Sequence, residues 1–154
     1  MDEIRDLYQQ VILDHHKSPK NFREIEDADR TVEGDNPLCG DHLHVYVKFS
    51  DDDERELEDV SFEGSGCAIS RASASLMTEI IQGKGSEDVL SLSDDFISMV
   101  TTETDEEPDT EGLGKLEILA GVREYPVRVK CATLAWHTLK SAIKGDKDRV
   151  STED

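Results

Sequence analysis

Between residues 43 and 82 the apolar residues change their period. Leu43, Val45, Val47 and Phe49 alternate with His42, His44, Tyr46 and Lys48, the period of two that marks a half-buried strand. From Cys67 to Gln82 the period lengthens, and Ile69, Ala72, Leu76 and Ile80 fall on one helical stripe that Gly83 stops. A chain that does both in succession must lay a sheet against helices.

The flanking segments extend this pattern. Ile4, Leu7, Tyr8, Val11, Ile12 and His15 form a helical stripe that Ser18-Pro19 ends. His15 and His16 then close that helix, where a cation suits the dipole. A short strand is expected through Arg30, Thr31 and Val32 up to the breaker Gly34, followed by a rigid turn at Asn36-Pro37-Leu38-Cys39-Gly40-Asp41. An acidic turn at 50–54 leads to a strand near 55–63 with Val60 and Phe62 inward. Leu57 breaks its parity, which predicts a bulge near Glu58-Asp59.

A second helical stretch starts at Ser86, with a break at Ser91–Ser93, and an acidic loop covers 101–111. A short helix over 112–120 turns Leu113, Leu116 and Leu119 inward, with Gly121 after it. Tyr125 to Lys130 reads as extended, Cys131 to Ile143 as the last helix, and 145–154 as a fraying charged tail. The expectation is one α+β domain over 1–154, a small antiparallel three-stranded sheet packed against several helices.

Charge sets the surface. The 154 residues include 17 basic and 36 acidic side chains, a formal net charge of −19. Ile, Leu, Val and Phe make up 37 residues, enough to place the chain among folded rather than disordered sequences. No apolar run approaches a membrane span and no leader opens the chain, so a soluble cytoplasmic protein is expected. The acidity argues against non-specific nucleic-acid binding, which needs clustered Lys and Arg. Carboxylates are spread along the chain rather than gathered in one patch. That favours adaptation to a salt-rich cytoplasm, hence a halophilic host, over a single acidic docking face.

Three cysteines, an odd number with no close pair, argue against a disulfide framework. Each lies at an expected element junction: Cys39 in the Pro/Gly turn, Cys67 after Gly64-Ser65-Gly66 at a helix start, and Cys131 at another. A helix N-terminus favours thiolate over thiol. One such cysteine would read as a small buried hydrophobe; three together point to chemistry. Three thiolates and one carboxylate complete a tetrahedral zinc site. Asp41 is the natural fourth ligand, two residues from Cys39 and in parity with inward Leu43 and Val45. His42 and His44 share the outward parity of Tyr46 and Lys48 and read as solvent-facing, and His137 as a surface or core histidine. The signatures of zinc deaminases, zinc proteases, P-loops and dinucleotide folds are all absent.

Four blocks carry a resemblance: Tyr8-Gln9-Gln10-Val11-Ile12-Leu13-Asp14-His15; Asn36 to Asp41; Gly64-Ser65-Gly66-Cys67-Ala68-Ile69-Ser70 with Ser73 and Ala74 beyond; and Pro126-Val127-Arg128-Val129-Lys130-Cys131-Ala132-Thr133-Leu134. In this order they resemble the IscU/NifU-like iron–sulfur cluster assembly family, over about residues 4 to 143. Within it, the scaffold branch has a histidine before the last cysteine and a shorter stretch between the last two. Lys130 and the long stretch from Cys67 to Cys131 instead look like the SufU branch.

The resemblance implies a SufE/NifU-like fold and a zinc-bound sulfurtransferase. This protein would take persulfide sulfur from a PLP-dependent cysteine desulfurase of the SufS type and serve downstream iron–sulfur assembly proteins. It implies zinc ligation by Cys39, Asp41, Cys67 and Cys131, sulfur acceptance by Cys39, and a place for Arg128 near the site. Two alternatives stay open. One is a non-enzymatic scaffold that binds an iron–sulfur cluster and passes it to apo-proteins. The other is a structural zinc domain for protein contacts.

Overall fold

The computed structural model describes residues 2–51, 56–145 and 147–152, with side chains from Tyr8 onward. Helix α1 spans Asp2–Lys17, strand β1 Arg30–Asn36, β2 Asp41–Phe49 and β3 Leu57–Ser65. Then come α2 (Ala68–Ile81), α3 (Ser86–Thr101), a 3₁₀ segment (Gly114–Glu124), α4 (Pro126–Lys144) and β4 (Arg149–Ser151). No helix of the described residues is long and apolar enough to cross a membrane.

The fold is α+β as expected, but the sheet has four strands in the order β3-β2-β1-β4. The segment expected to fray supplies the fourth, which pairs parallel with β1 from Glu33↔Arg149 to Asp35↔Ser151. Only the first three strands form the antiparallel meander. Leu43, Val45 and Val47 are fully buried, as their alternation requires. The register skips Glu58, because Lys48 faces Asp59 while Phe49 faces Leu57, so the bulge lies where the broken parity of Leu57 puts it. The acidic turn at 50–54 falls mostly on 52–55, and the inward Ile4 and Leu7 on side chains, outside those described.

Gly34 does not end β1; it lies inside it. A Cβ there would run into Thr138 Oγ1 and crowd Leu134, so glycine is what lets the strand lie directly on α4. Trp136 of α4 is fully buried and stacks on Phe96 of α3, with ring centroids 4.7 Å apart. Its Nε1–H donates to Ser73 Oγ of α2 (3.1 Å), and the Ser73 hydroxyl donates to the Ala132 carbonyl (2.6 Å). This polar chain thus ties α2 to α4 with every member satisfied, while the ring stack adds α3.

Three further expectations are corrected. Helix α3 runs unbroken through Ser91–Ser93, because the Ser93 hydroxyl bonds back to the Val89 carbonyl (2.8 Å) within the helix. The short helix is 3₁₀ and continues past Gly121 to Glu124. Leu113, Leu116, Leu119 and Val122 are buried at intervals of three, the period at which 3₁₀ side chains eclipse. The segment from Pro126 to Lys130 is helical, with Pro126 at the first position of α4, where its missing N–H costs nothing.

His15 does not act as an exposed cation at the end of α1. It is buried between α1 and α2, with Nδ1 2.6 Å from Ser75 Oγ. The Lys20 N–H donates to the same Ser75 oxygen (2.7 Å), so one hydroxyl joins the imidazole to the backbone just after α1. Burial lowers the His15 pKa below its usual 6.5. The stability it contributes is complete above pH 6.5 and is lost as pH falls through the lowered folded value. Denaturant melts at pH 7 and pH 5 should therefore show a smaller loss on acidification for His15→Asn than for the native chain.

Candidate metal centre

Three elements bring their ends to one point. The β1–β2 hairpin turns through Pro37 to Gly40, closed by the Cys39 N–H donating to the Asn36 carbonyl (3.2 Å), with Gly40 at φ 70°. Asp41 opens β2 with its side chain inward, 2% exposed. Cys67 caps α2: its backbone is extended and its sulfur accepts the Ser70 N–H at 3.4 Å. Cys131 lies in the second turn of α4, not at a helix start as its sequence context suggests, and is 2% exposed.

All three cysteines are free thiols, and they converge on Asp41. Cys131 Sγ stands 3.4 Å from Cys39 Sγ, and Cys67 Sγ 3.9 Å from Asp41 Oδ2. One donor atom each from Cys39, Asp41 and Cys131 lies within 4.8 Å of the others. Sulfurs bound to zinc at about 2.3 Å in a tetrahedron stand about 3.8 Å apart. Cys39, Asp41 and Cys131 already sit near that spacing, Cys67 adjoins them at Asp41 without joining the group, and thiolates with one carboxylate are a set zinc accepts. An iron–sulfur cluster uses the same soft ligands.

The site is braced from outside. The Cys67 N–H donates to Asp41 Oδ1 (2.8 Å), and Asn36 Nδ2 donates to Asp41 Oδ2 (3.1 Å) and toward Cys131 Sγ (3.5 Å). Asn36 is fully buried and is itself held by Thr152, whose hydroxyl donates to Asn36 Oδ1 (2.9 Å). Sequence reasoning placed Asn36 only in the turn. Its position directly opposite Asp41 across the hairpin is the signal that could have found it. The tail matters to the site because Thr152, just after β4, reaches this asparagine.

The sulfurs are not equivalent. A hydrogen bond from Cys131 pulls the Cys67 thiol well below the ordinary cysteine range; burial opposes this, and the Ser70 and Ile69 backbone N–H groups reinforce it. The Cys131 thiol is pushed up, first by that same bond and then by burial. Cys39 is half-buried on a turn, beside Leu38, which is 60% exposed.

Arg128 is exposed on the first turn of α4, with its guanidinium 4.6 Å from the Tyr125 ring centre. Burial raises the Tyr8 hydroxyl's pKa, while the Arg128 charge lowers it and that of Cys67 raises it, so both charges act on Tyr8. His42 and His44 point to the opposite face of the sheet from Asp41, as their parity requires, and His137 is exposed.

Gly66 sets how closely the α2 start approaches Asp41. Its φ is +154°, and a Cβ would collide with Asp41 Oδ1 and crowd the Asp41 backbone. Gly66→Ala should displace the carboxylate and lower metal retention by about tenfold or more, the scale seen when groups that orient a ligand are lost. Metal analysis after dialysis against a weak chelator checks this.

Comparisons with known proteins bear on this centre. A family described as the NifU-like N-terminal domain matches residues 7–132. The chain is 44% identical over 137 residues to the zinc-dependent sulfurtransferase SufU of Bacillus subtilis (strain 168), covering 89% of each. It is 43% identical over 144 residues to the iron–sulfur cluster assembly scaffold protein IscU of Streptococcus pyogenes serotype M1, covering 94% of this chain and 87% of that one. A crystal structure of a candidate iron–sulfur cluster assembly scaffold protein for the SUF system, from Fervidobacterium islandicum AW-1, superposes with a TM-score of 0.78 at 38% identity. That match covers 87% of this chain and 94% of the other.

Proposed function

The chain belongs to the NifU-like N-terminal domain family, and from that premise we propose that it is a SufU-type sulfur acceptor for iron–sulfur cluster assembly. It carries zinc on Cys39, Asp41, Cys67 and Cys131 and receives sulfur on Cys39 from a PLP-dependent cysteine desulfurase of the SufS type in the cytoplasm. The observation that carries this reading is that Cys39, the buried Asp41 carboxylate and Cys131, from separate elements, group within 4.8 Å, with Cys67 Sγ 3.9 Å from Asp41 Oδ2. The likeness to the B. subtilis sulfurtransferase supports the branch, as do Lys130 and the long stretch between Cys67 and Cys131.

Bound zinc would keep its thiol ligands deprotonated at neutral pH. The chain's own residues supply the rest. Cys67 and Cys131 are fixed to helices, whereas Cys39 sits on a turn that moves at less cost. Its thiolate attacks the outer sulfur of the desulfurase persulfide. A bond forms between Cys39 Sγ and that sulfur, the partner's S–S bond breaks, and the electron pair leaves on the partner's cysteine thiolate. Arg128 offers a positive charge where an anionic persulfide must arrive. Leu38 next to Cys39, and Tyr125 and Val127 near Arg128 in the chain, each about half exposed or more, offer apolar contact to a partner.

The likeness to the S. pyogenes scaffold protein supports the second reading, a platform for an iron–sulfur cluster. Metal analysis and a desulfurase assay separate the two. One tight zinc per chain, no visible-absorbing cluster and faster cysteine desulfuration support the sulfur acceptor. A reconstituted cluster that transfers to an apo-ferredoxin, without faster desulfuration, supports the scaffold.

The acidic surface fits a salt-rich host. With −19 net charge, self-repulsion weakens the fold in dilute buffer, and added salt relieves it. The melting temperature should rise from low to molar KCl; a flat profile would remove salt adaptation from the account.

A further inference from the structure

We propose that the outer face of the sheet carries a second metal site, in which His42, His44 and Glu33 hold a divalent first-row transition ion. His42 and His44 are two apart on β2, so both rings stand on the same face, with centroids 5.0 Å apart in an edge-to-face arrangement. Glu33 lies directly opposite His44 on β1, and its Oε1 is 3.1 Å from His44 Nε2. One donor atom from each of the three residues lies within 4.8 Å of the other two.

The outer support for a ligating imidazole is already built. His42 Nδ1 hydrogen-bonds Asp35, the residue opposite it on β1, which leaves Nε2 for an ion. Asp35 is held in turn by Arg149 of β4, whose Nε donates to Oδ2 at 2.7 Å. A carboxylate that orients the non-ligating nitrogen is the usual outer partner of a metal-bound histidine. The side chains of His42, His44 and Glu33 are 40%, 32% and 41% exposed, so an ion can enter from solvent and keep water in its remaining positions.

Two imidazoles and a carboxylate without sulfur select borderline divalent ions, from iron to zinc, over thiophilic ones. Asp41 and His42 are successive strand residues, so the sheet itself separates this site from the thiol centre. The plain alternative is a pair of cross-strand histidine–carboxylate hydrogen bonds that bind nothing.

Cobalt(II) is a suitable probe, because thiolate-bound cobalt shows a strong charge-transfer band that imidazole and carboxylate ligands do not give. Calorimetric titration of the full chain, followed in parallel by absorbance, should show one cobalt taken up without that band. Asp35→Asn should weaken this uptake by about 10–100-fold. The His42→Ala/His44→Ala double variant should weaken it further while the band from the thiol centre persists. Glu33→Gln, which keeps the side-chain shape and hydrogen bonding, should also weaken it and guards against misfolding of the double variant. Unchanged band-free uptake in the double variant, or in Glu33→Gln, would overturn the site. So would cobalt entering the native chain only through thiolates.

Discussion

Cys39→Ser should abolish stimulation of a cysteine desulfurase, a loss on the order of 10²-fold or more, because a hydroxyl at that position is not ionised at neutral pH. The variant should still fold. Cys39 is a half-buried residue on a hairpin turn, and serine is nearly its shape, so in the metal-free protein stability should change by less than about 1 kcal/mol, the further loss with zinc present being that of one ligand. Stimulation is read from alanine or sulfide release, and folding from a denaturant melt of the same sample. Full stimulation by Cys39→Ser would move the acceptor role to another sulfur.

Cys131→Ala is expected to have the opposite profile, with a large effect on metal and stability together. Cys131 is buried, fixed on α4, in contact with Cys39 and within reach of the Asn36 amide. Ligand binding free energy is also folding free energy, so losing the ion removes stability as well. With free zinc at a hundred times its dissociation constant, the bound ion contributes about 2.7 kcal/mol. The native chain should therefore melt lower once a strong chelator is added, whereas Cys131→Ala should melt low with or without it. Cys67→Ala should behave in the same way, with the added loss of the α2 cap. Undiminished zinc in both variants would show that the ligands are wrong.

Asp41→Ala carries a further cost that its sequence position does not reveal. A water could replace one oxygen ligand, which suggests a mild effect. In the fold, however, Asp41 also accepts the Cys67 N–H and the Asn36 amide in a buried setting. Orphaning two buried donors costs about 1–3 kcal/mol each. Asp41→Ala should thus destabilise the chain even when no metal is supplied.

Those two bonds mark where the sequence stops being legible. The alternation in β2, the parity break at Leu57 and the glycine-flanked start of α2 are local patterns, and they put the hairpin turn, the bulge and the Cys67 cap where the fold has them. The start of α4 misleads because Val127 and Val129 alternate like a strand. Pro126 also reads as a barrier until it is placed at the first helical position. Cys131 thereby moves from a helix start to a second turn, where it is held by burial rather than by the helix terminus. Strand β4 is three residues long and gains its partner only when the chain returns beside β1, so no local period announces it. With it go Thr152 and the support of Asn36, which only the assembled fold brings to the metal centre. The cysteines stand out because that residue type is rare here and chemically specific, and Asp41 because of its spacing from Cys39 and its inward parity; their braces are ordinary polar residues.

As the proposed acceptor, Cys39 should be the first sulfur of this chain to receive the persulfide. The most direct measurement is peptide mass spectrometry after brief incubation with a cysteine desulfurase and cysteine, with free thiols trapped by alkylation before digestion. One added sulfur, about 32 Da, is expected on the peptide containing Cys39 at the earliest times, with the Cys67 and Cys131 peptides unmodified. An added sulfur appearing first on Cys67 or Cys131, while Cys39 stays unmodified, would contradict it.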